Sequence, residues 1–390
     1  MGKMKILVVL FLYVCSANIF SESRLISLDK DLYEEILKKR PKIFFSQSAG
    51  KLILVSLDEE ILPYVSHLAH EKFKRCGGYI LEDSMEEAYP LLNSFQNFDN
   101  FESKKLQDKK EVREFIEEVN TSFMKETIEK LSSFQNRYYE SIHGVKSQTW
   151  VLEKWKSLAE GRSDTSVSFF EHKNFQQPSV ILTIKGEQFP EEFVILGGHG
   201  DSISGWFPDE NVRAPGADDN ASGIATLTEV LRIFLESGKR PRQTLQFISY
   251  AAEEVGLRGS KEIATAYSRA GKNVKAVLQF DMTNFSGNRY DFVFISDYTT
   301  DSLSTYLTSL VEMYLPDYSW AYDKCGYACS DHASWYREGF PVAFPFESTF
   351  DGHNEKIHTK EDTIAVSHNS ASHAAKFSKL ALAFLGEFTL

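Results

Sequence analysis

Cysteine is scarce, with four residues in 390: Cys15, Cys76, Cys325 and Cys329. That leaves no cysteine framework to read, only one close pair. A long basic run is missing too. Asp and Glu number 55 against 43 Lys and Arg, a formal net charge of -12. Such a balance excludes phosphate-backbone binding as the first reading, so no nucleic-acid partner is expected. Long apolar runs are absent apart from ILVVLFLYV at residues 6–14. That run falls short of the ~20 residues that span a bilayer. There is no internal repeat and no low-complexity tract. Apolar residues make up 42% and aromatics 13%, which is ample for packed cores and excludes wholesale disorder. The length allows two or three domains at roughly 100–200 residues each.

The short apolar run follows Lys3 and Lys5 and precedes the small residues Ser16, Ala17 and Ser21. This is the pattern of a secretory signal peptide, expected over 1–21 with cleavage near Ala17 or Ser21. Val14 before Cys15 is a poor match to a lipoprotein site. The mature chain is therefore expected to be secreted, free of the membrane and in an oxidising compartment. There Cys325 and Cys329, in CGYAC, read as a local disulfide. A thiolate metal site built on this pair alone would lack partners. Cys76 has no evident partner and reads as a small buried residue.

Residues 22 to about 100 alternate short strand and helix signals, enough for a small α+β unit. Charge then thickens between Ser103 and Lys130. Lys104, Lys105, Lys109 and Lys110 are expected to be exposed there as a protease-sensitive connector. Beyond it, SVILTIK, EFVILGG, TLQFISYAA, VKAVLQFD, DFVFIS and FPVAFPF read as buried strands, and 221–236, 259–270, 301–314 and 370–388 as helices. The expected fold class is α/β: a mixed, mostly parallel central sheet with helices on both faces, preceded by the small α+β unit.

Ligands of such sheets gather beyond the carboxyl ends of the strands. Polar residues crowd there: GGHGDS around His199 and Asp201, GADDN at Asp218, AAEE at Glu253 and Glu254, Asp281 after a strand, and His358 in a loop. Each segment alone has a plainer reading. Asp218-Asp219 before a helix suits an N-cap, and Glu253-Glu254 suits a solvated face. Together they converge imidazoles and carboxylates on one rim. Packed carboxylates repel one another and stay partly protonated unless cations join them. Imidazole with carboxylate suits zinc, and one carboxylate can bridge two metals ~3.5–4 Å apart.

GGHGDS, APGADDNASGIA, AAEEVGLRGS, LQFDMTN, CGYACSDHASW and PFES…IHTKEDT closely resemble the di-zinc aminopeptidases of peptidase family M28, and secreted bacterial leucyl aminopeptidases in particular. The resemblance runs from about residue 125 to 390. It implies the zinc exopeptidase, phosphorylase/hydrolase-like fold and two Zn2+ per catalytic domain. His199 and Asp281 would bind one ion, Glu254 and His358 the other, and Asp218 would bridge both. A hydroxide held between them would attack the peptide bond, with Glu253 as general base. Asp201 would hydrogen-bond His199 and set its tautomer. A cis peptide is implied at Asp218–Asp219, and Tyr327 as an oxyanion donor.

The resemblance further implies a first side-chain pocket of Met282, Ile295, Cys325, Tyr327, Cys329, Phe344, Phe346, Phe350 and Ile357, suited to Leu-like residues. Phe344, His353 and Gly200 depart from the pattern of the near relatives, which leaves Met, Phe or Lys preference open. The expected substrates are peptide or protein N-termini and the expected state a monomer. By the same resemblance, residues 22–108 form a propeptide that inhibits a catalytic domain of 109–390. A carboxypeptidase or a glutaminyl cyclase is the alternative within the family. The first would call for basic residues to hold a carboxylate, and the second for one zinc. No GxSxG elbow supports a serine hydrolase. His67, His70, His143, His172, His368 and His373 stand in no motif. His332, in SDHASW, is expected to be a structural hydrogen-bonder.

Overall fold

The structure is a computed structural model and describes residues 23–39, 45–49, 52–73, 77–86, 88, 99–205, 209–287 and 289–390. The expected signal segment, Cys15 and Cys76 lie outside the described residues. The α+β unit comes first. Strands β1 (Ser23–Asp29), β2 (Phe45–Ala49), β3 (Leu52–Asp58) and β4 (Tyr79–Glu82) form an antiparallel sheet in the order β2-β3-β1-β4. Helices α1 (Lys30–Lys39) and α2 (Leu62–His67) cover it. Its core is small: Ile26, Leu28, Leu32, Ile36, Val55, Leu57 and Val65 are buried together.

An eight-stranded sheet follows, from β5 (Thr165–Phe170), β6 (Ser179–Ile184), β7 (Phe189–His199), β8 (Gln243–Tyr250), β9 (Asn273–Gln279), β10 (Phe292–Ile295), β11 (Trp320–Asp323) and β12 (Val342–Phe346). The order is β11-β10-β12-β9-β7-β8-β6-β5. The middle strands β12, β9, β7 and β8 run parallel, and β6 and β10 turn antiparallel on either side. The sheet is thus mixed about a parallel centre.

Alternation splits the sheet between two cores. Val194 and Leu196 of β7, with Leu245 and Phe247 of β8, face one core. Ile195, Ile248 and Tyr250 face the other. Over the first face lie α3 (Lys110–Glu117), α4 (Thr121–Ser132), α5 (Ile142–Leu158), α6 (Ala221–Glu236), α8 (Asp301–Tyr314) and α10 (Ala374–Thr389). Over the second lie α7 (Arg258–Arg269) and α9 (His332–Arg337). Burying each large aliphatic side chain contributes about 1.5–3 kcal/mol. The edge strands β5 and β11, half-buried with weak apolar patterns, and the helix α5 were not foreseen.

The connector departs from expectation. Phe101 is buried in the main core, against Tyr306 and Phe388. Lys104 donates to the Phe388 carbonyl and sits 4.4 Å over its ring. Lys109 donates through Nζ to the Gly386 carbonyl at 3.0 Å and through its backbone to Tyr314 Oη at 2.7 Å. Both ammonium groups thus satisfy carbonyls left open at the end of α10. Of the four lysines, Lys105 and Lys110 alone are fully exposed, and Lys110 begins a helix. Limited trypsin digestion of the folded chain should therefore cut first after Lys105. N-terminal sequencing of the fragments checks this, and first cleavage after Lys104 or Lys109 would contradict the packing.

Candidate active site

Strand ends and turns bring the polar residues together. β7 ends at His199 and β8 leads to Glu253 and Glu254. β9 leads to Asp281, and the turn before α6 holds Asp219. His358 comes from the loop after β12. Ala252, Met282 and His358 all take positive φ, near +55°. That conformation is costly for side-chain-bearing residues and clusters at functional sites.

The carboxylate between the two histidines belongs to Asp219. His199 Nε2 lies 3.0 Å from Asp219 Oδ1 and 3.3 Å from Asp281 Oδ1. His358 Nε2 lies 3.0 Å from Asp219 Oδ2 and 3.1 Å from Glu254 Oε2. This corrects the expectation for Asp218. Side chains of adjacent residues in a turn point apart, and the Asp218 carboxylate turns away. Its Oδ1 accepts from the backbone of Asn284 and Phe285, each at 3.1 Å, and its Oδ2 from Asn354 at 3.1 Å. The cis peptide is likewise Asp219–Asn220, not Asp218–Asp219.

The rest of the shell holds these groups in place. Asp201 Oδ1 faces His199 Nδ1 at 3.2 Å, and its two oxygens also accept from the backbone N–H of Glu253 and Glu254. One side chain therefore orients an imidazole and both glutamates. Ser330 donates to Asp281 at 2.6 Å. Asp362 accepts from the backbone N–H of Asp218 and Asp219. Arg137 is fully buried and donates to the carbonyls of Gly200, Pro215 and Gly216. It ties the His199 loop to the Asp219 turn. At Gly200, an added Cβ would come within 2.5 Å of the Gln148 amide, so Gln148 fills the space of a larger residue there. Neither Arg137 nor Asp362 is assigned a role from sequence: Arg137 stands in no motif, and Asp362, within IHTKEDT, acts on backbone N–H groups of a distant turn.

The electrostatics are those of an anionic cavity. Burial and the neighbouring Glu254, Asp331 and Asp281 push the Glu253 carboxyl well above its ordinary range, although His199 opposes them. Burial and Asp219 push Glu254 up to about 7. Asp331 rises to about 7, mainly by burial. Burial opposes charge on His358, yet Glu254 and Asp219 outweigh it and raise the imidazole to about 10. His199 is raised in the same way by Asp281 and Glu253. Asp219 is held well below the usual range despite burial, because both imidazoles face it. Protons on two histidines are thus the countercharge available without metal.

A divalent cation fits better than a proton. The buried Nε2 atoms of His199 and His358, and Oδ1 of Asp281, make no hydrogen bond of proper geometry. They aim at shared points instead. Separations near 3.0–3.3 Å match the tetrahedron edge of about 3.3 Å expected from ~2.0–2.1 Å bonds to zinc. His199, Asp219 and Asp281 form one such group, and Glu254 and His358 belong to a second. His70 of the N-terminal unit joins that second group, although sequence reasoning gave it no role. Burial and His358 hold its imidazole well below the ordinary range.

Beside Asp281 a small open cavity is lined by Met282, Cys325, Tyr327, Cys329, Phe344, Phe346, Phe350, His353 and Ile357. Ile295 packs into the same apolar cluster. Cys325 and Cys329 are joined in a disulfide, with Cα atoms 6.2 Å apart. His332 lies behind Phe344, its ring 4.8 Å away, and its Nε2 faces the Asp297 carbonyl at 3.1 Å.

Asp219→Asn should cost the protein its bound metal, whereas Asp218→Asn should leave most of it. Metal analysis after dialysis distinguishes the two, and the reverse ranking would restore Asp218 as the bridging residue.

The profile of peptidase family M28 matches residues 179–384. A probable aminopeptidase of Saccharomyces cerevisiae is 37% identical over 290 residues, covering 72% of this chain and 76% of that one. Leucine aminopeptidase 1 of Metarhizium robertsii is 39% identical over 297 residues, covering 73% and 74%. The crystal structure of the LapA aminopeptidase of Legionella pneumophila superposes with a TM-score of 0.77 at 28% identity, covering 94% of this chain and 98% of that one. The chain belongs to peptidase family M28, and it is a hydrolase of the aminopeptidase type.

Proposed function

We propose that the protein is an exported metalloaminopeptidase that binds two zinc ions and removes apolar, Leu-like residues from peptide N-termini. The observation that carries this reading is the Asp219 carboxylate, with one oxygen toward His199 and the other toward His358. His199, Asp281 and Asp219 would hold one ion, and Glu254, His358 and Asp219 the other. Bound zinc would supply Lewis acidity and make a water acidic near neutral pH.

The chain's own groups do the remaining work. Glu253 is buried beside both groups, where its carboxylate takes the proton of the attacking water and returns it to the leaving amine. Asp201 fixes the His199 ring and the backbone of Glu253 and Glu254. Tyr327, at the pocket wall, would donate to the carbonyl oxygen of the scissile bond. Phe344 and Phe346 close the pocket on the substrate's first side chain, and burying that side chain contributes about 1.5–3 kcal/mol.

Among the described residues no Arg or Lys lines this pocket, which disfavours recognition of a free carboxylate. Both donor groups are assembled, which disfavours a one-zinc cyclase. The signal pattern and the disulfide support export. No described helix is long and apolar enough to cross a membrane.

Glu253→Gln should keep its metal and its thermal transition yet lose turnover of a leucyl anilide by ~10²–10⁴-fold. Near-normal turnover would refute the assignment of the base. N-acetylation of the same substrate should stop cleavage, and efficient hydrolysis of acetyl-leucyl anilide would argue against a requirement for a free amine.

A further inference from the structure

The N-terminal unit reaches the site through His70. This residue lies in the π-helical turn Leu68–Lys72 that continues α2, and such turns recur at functional sites. Its side chain is 4% exposed, with Nε2 4.0 Å from Glu254 Oε2. Its ring stacks on His358, centroids 3.8 Å apart and planes 25° from parallel. Nε2 makes no hydrogen bond. A buried nitrogen left in that state is destabilising, unless something else occupies its lone pair. Donor atoms of His70, Glu254 and His358 all lie within 4.8 Å of one another. Two imidazoles and a carboxylate, all buried, form a donor set that zinc accepts.

Contacts around the site hold the unit in this position. Gly77 takes φ +61°, and an added Cβ would lie 3.3 Å from Glu253 Oε1, so its backbone runs directly over the proposed base. The backbone N–H of Leu81 in β4 donates to the Gly256 carbonyl at 3.3 Å. Lys261 donates to the Leu81 carbonyl at 2.6 Å. Glu82 is buried and pairs with Arg337 at 3.0 Å. Ile80 packs with Leu257, Ala328 and Ala333, and Ala328 lies inside the disulfide loop. β4 is thus docked on the Glu253–Leu257 turn and on the loop that walls the substrate pocket.

We infer that the N-terminal unit silences its own active site by supplying His70 as an additional ligand to the cation held by Glu254 and His358, where a peptide's free α-amine would otherwise approach. The inference rests on the aminopeptidase reading for what is displaced, whereas ligation by His70 stands independently of it. Release of the unit would exchange one imidazole for substrate.

The test uses the full chain, loaded with zinc or cobalt, as wild type, His70→Phe and His70→Gln. Phe keeps the ring and removes the ligand atom, and Gln keeps a polar group should Phe impair folding. X-ray absorption of the zinc-loaded wild type should count three imidazoles over two ions, and the variants two. The visible spectrum of the cobalt form should shift, and chelator competition should show one ion bound at least ~10-fold more weakly. Leucyl anilide hydrolysis should rise in the variants. Two imidazoles in the wild type, a count that needs no variant, would overturn the inference. Unchanged spectra and affinity with increased hydrolysis would also overturn it, because His70 would then be a steric plug. Changed spectra, with no hydrolysis by any chain even after cleavage at Lys105, would leave His70 a ligand and refute the aminopeptidase reading.

Discussion

Negative charge that cannot be solvated dominates this active site. Asp219, Glu253, Glu254, Asp281 and Asp331 are all buried within one rim, and like charges at this depth destabilise one another strongly. Two imidazoles relieve the repulsion only in part, as the raised Glu253 and Glu254 and the raised His199 and His358 show. Cations bound on either side of the Asp219 carboxylate would relieve it fully. The surrounding architecture serves to hold that cluster in register: the parallel strand ends, the strained residues before Glu253 and after Asp281, the buried guanidinium of Arg137 and the carboxylate of Asp362.

The N-terminal unit belongs to the same electrostatic problem. Its small core would be marginal alone, and it reaches the surroundings of the catalytic cluster through His70, Leu81 and Glu82. A segment that would lend a neutral donor to a metal site, and whose backbone at Gly77 lies beside Glu253, would be stabilised by the site it covers. The connector behaves similarly: Phe101, Lys104 and Lys109 close the end of α10. Residues on both sides of the expected boundary at 108/109 thus pack on the same helix end.

Much of this was legible in the sequence, and for physical reasons. Strands buried on both faces read as continuous apolar runs, so β6 to β10 and β12 stood out. The pocket set from Met282 to Ile357 is implied by the family resemblance rather than by spacing, and the structure lines one cavity with these residues, with Ile295 packed in the same apolar cluster. What escaped notice lacked a local pattern. Two adjacent aspartates are equivalent until a turn points one inward, so Asp219 was mistaken for its neighbour. Arg137 and Asp362 act across long sequence separations. His70 falls in a segment that reads as an ordinary helix from sequence, and its approach to Glu254 and His358 appears only when the N-terminal unit docks.

Asp219 would be the common anchor of two cations. Anomalous diffraction at the zinc edge from crystals of the zinc-loaded full chain tests it most directly. Two peaks ~3.5–4 Å apart, one on each oxygen of the Asp219 carboxylate, are predicted. A single peak, or a pair flanking Asp218 instead, would contradict it.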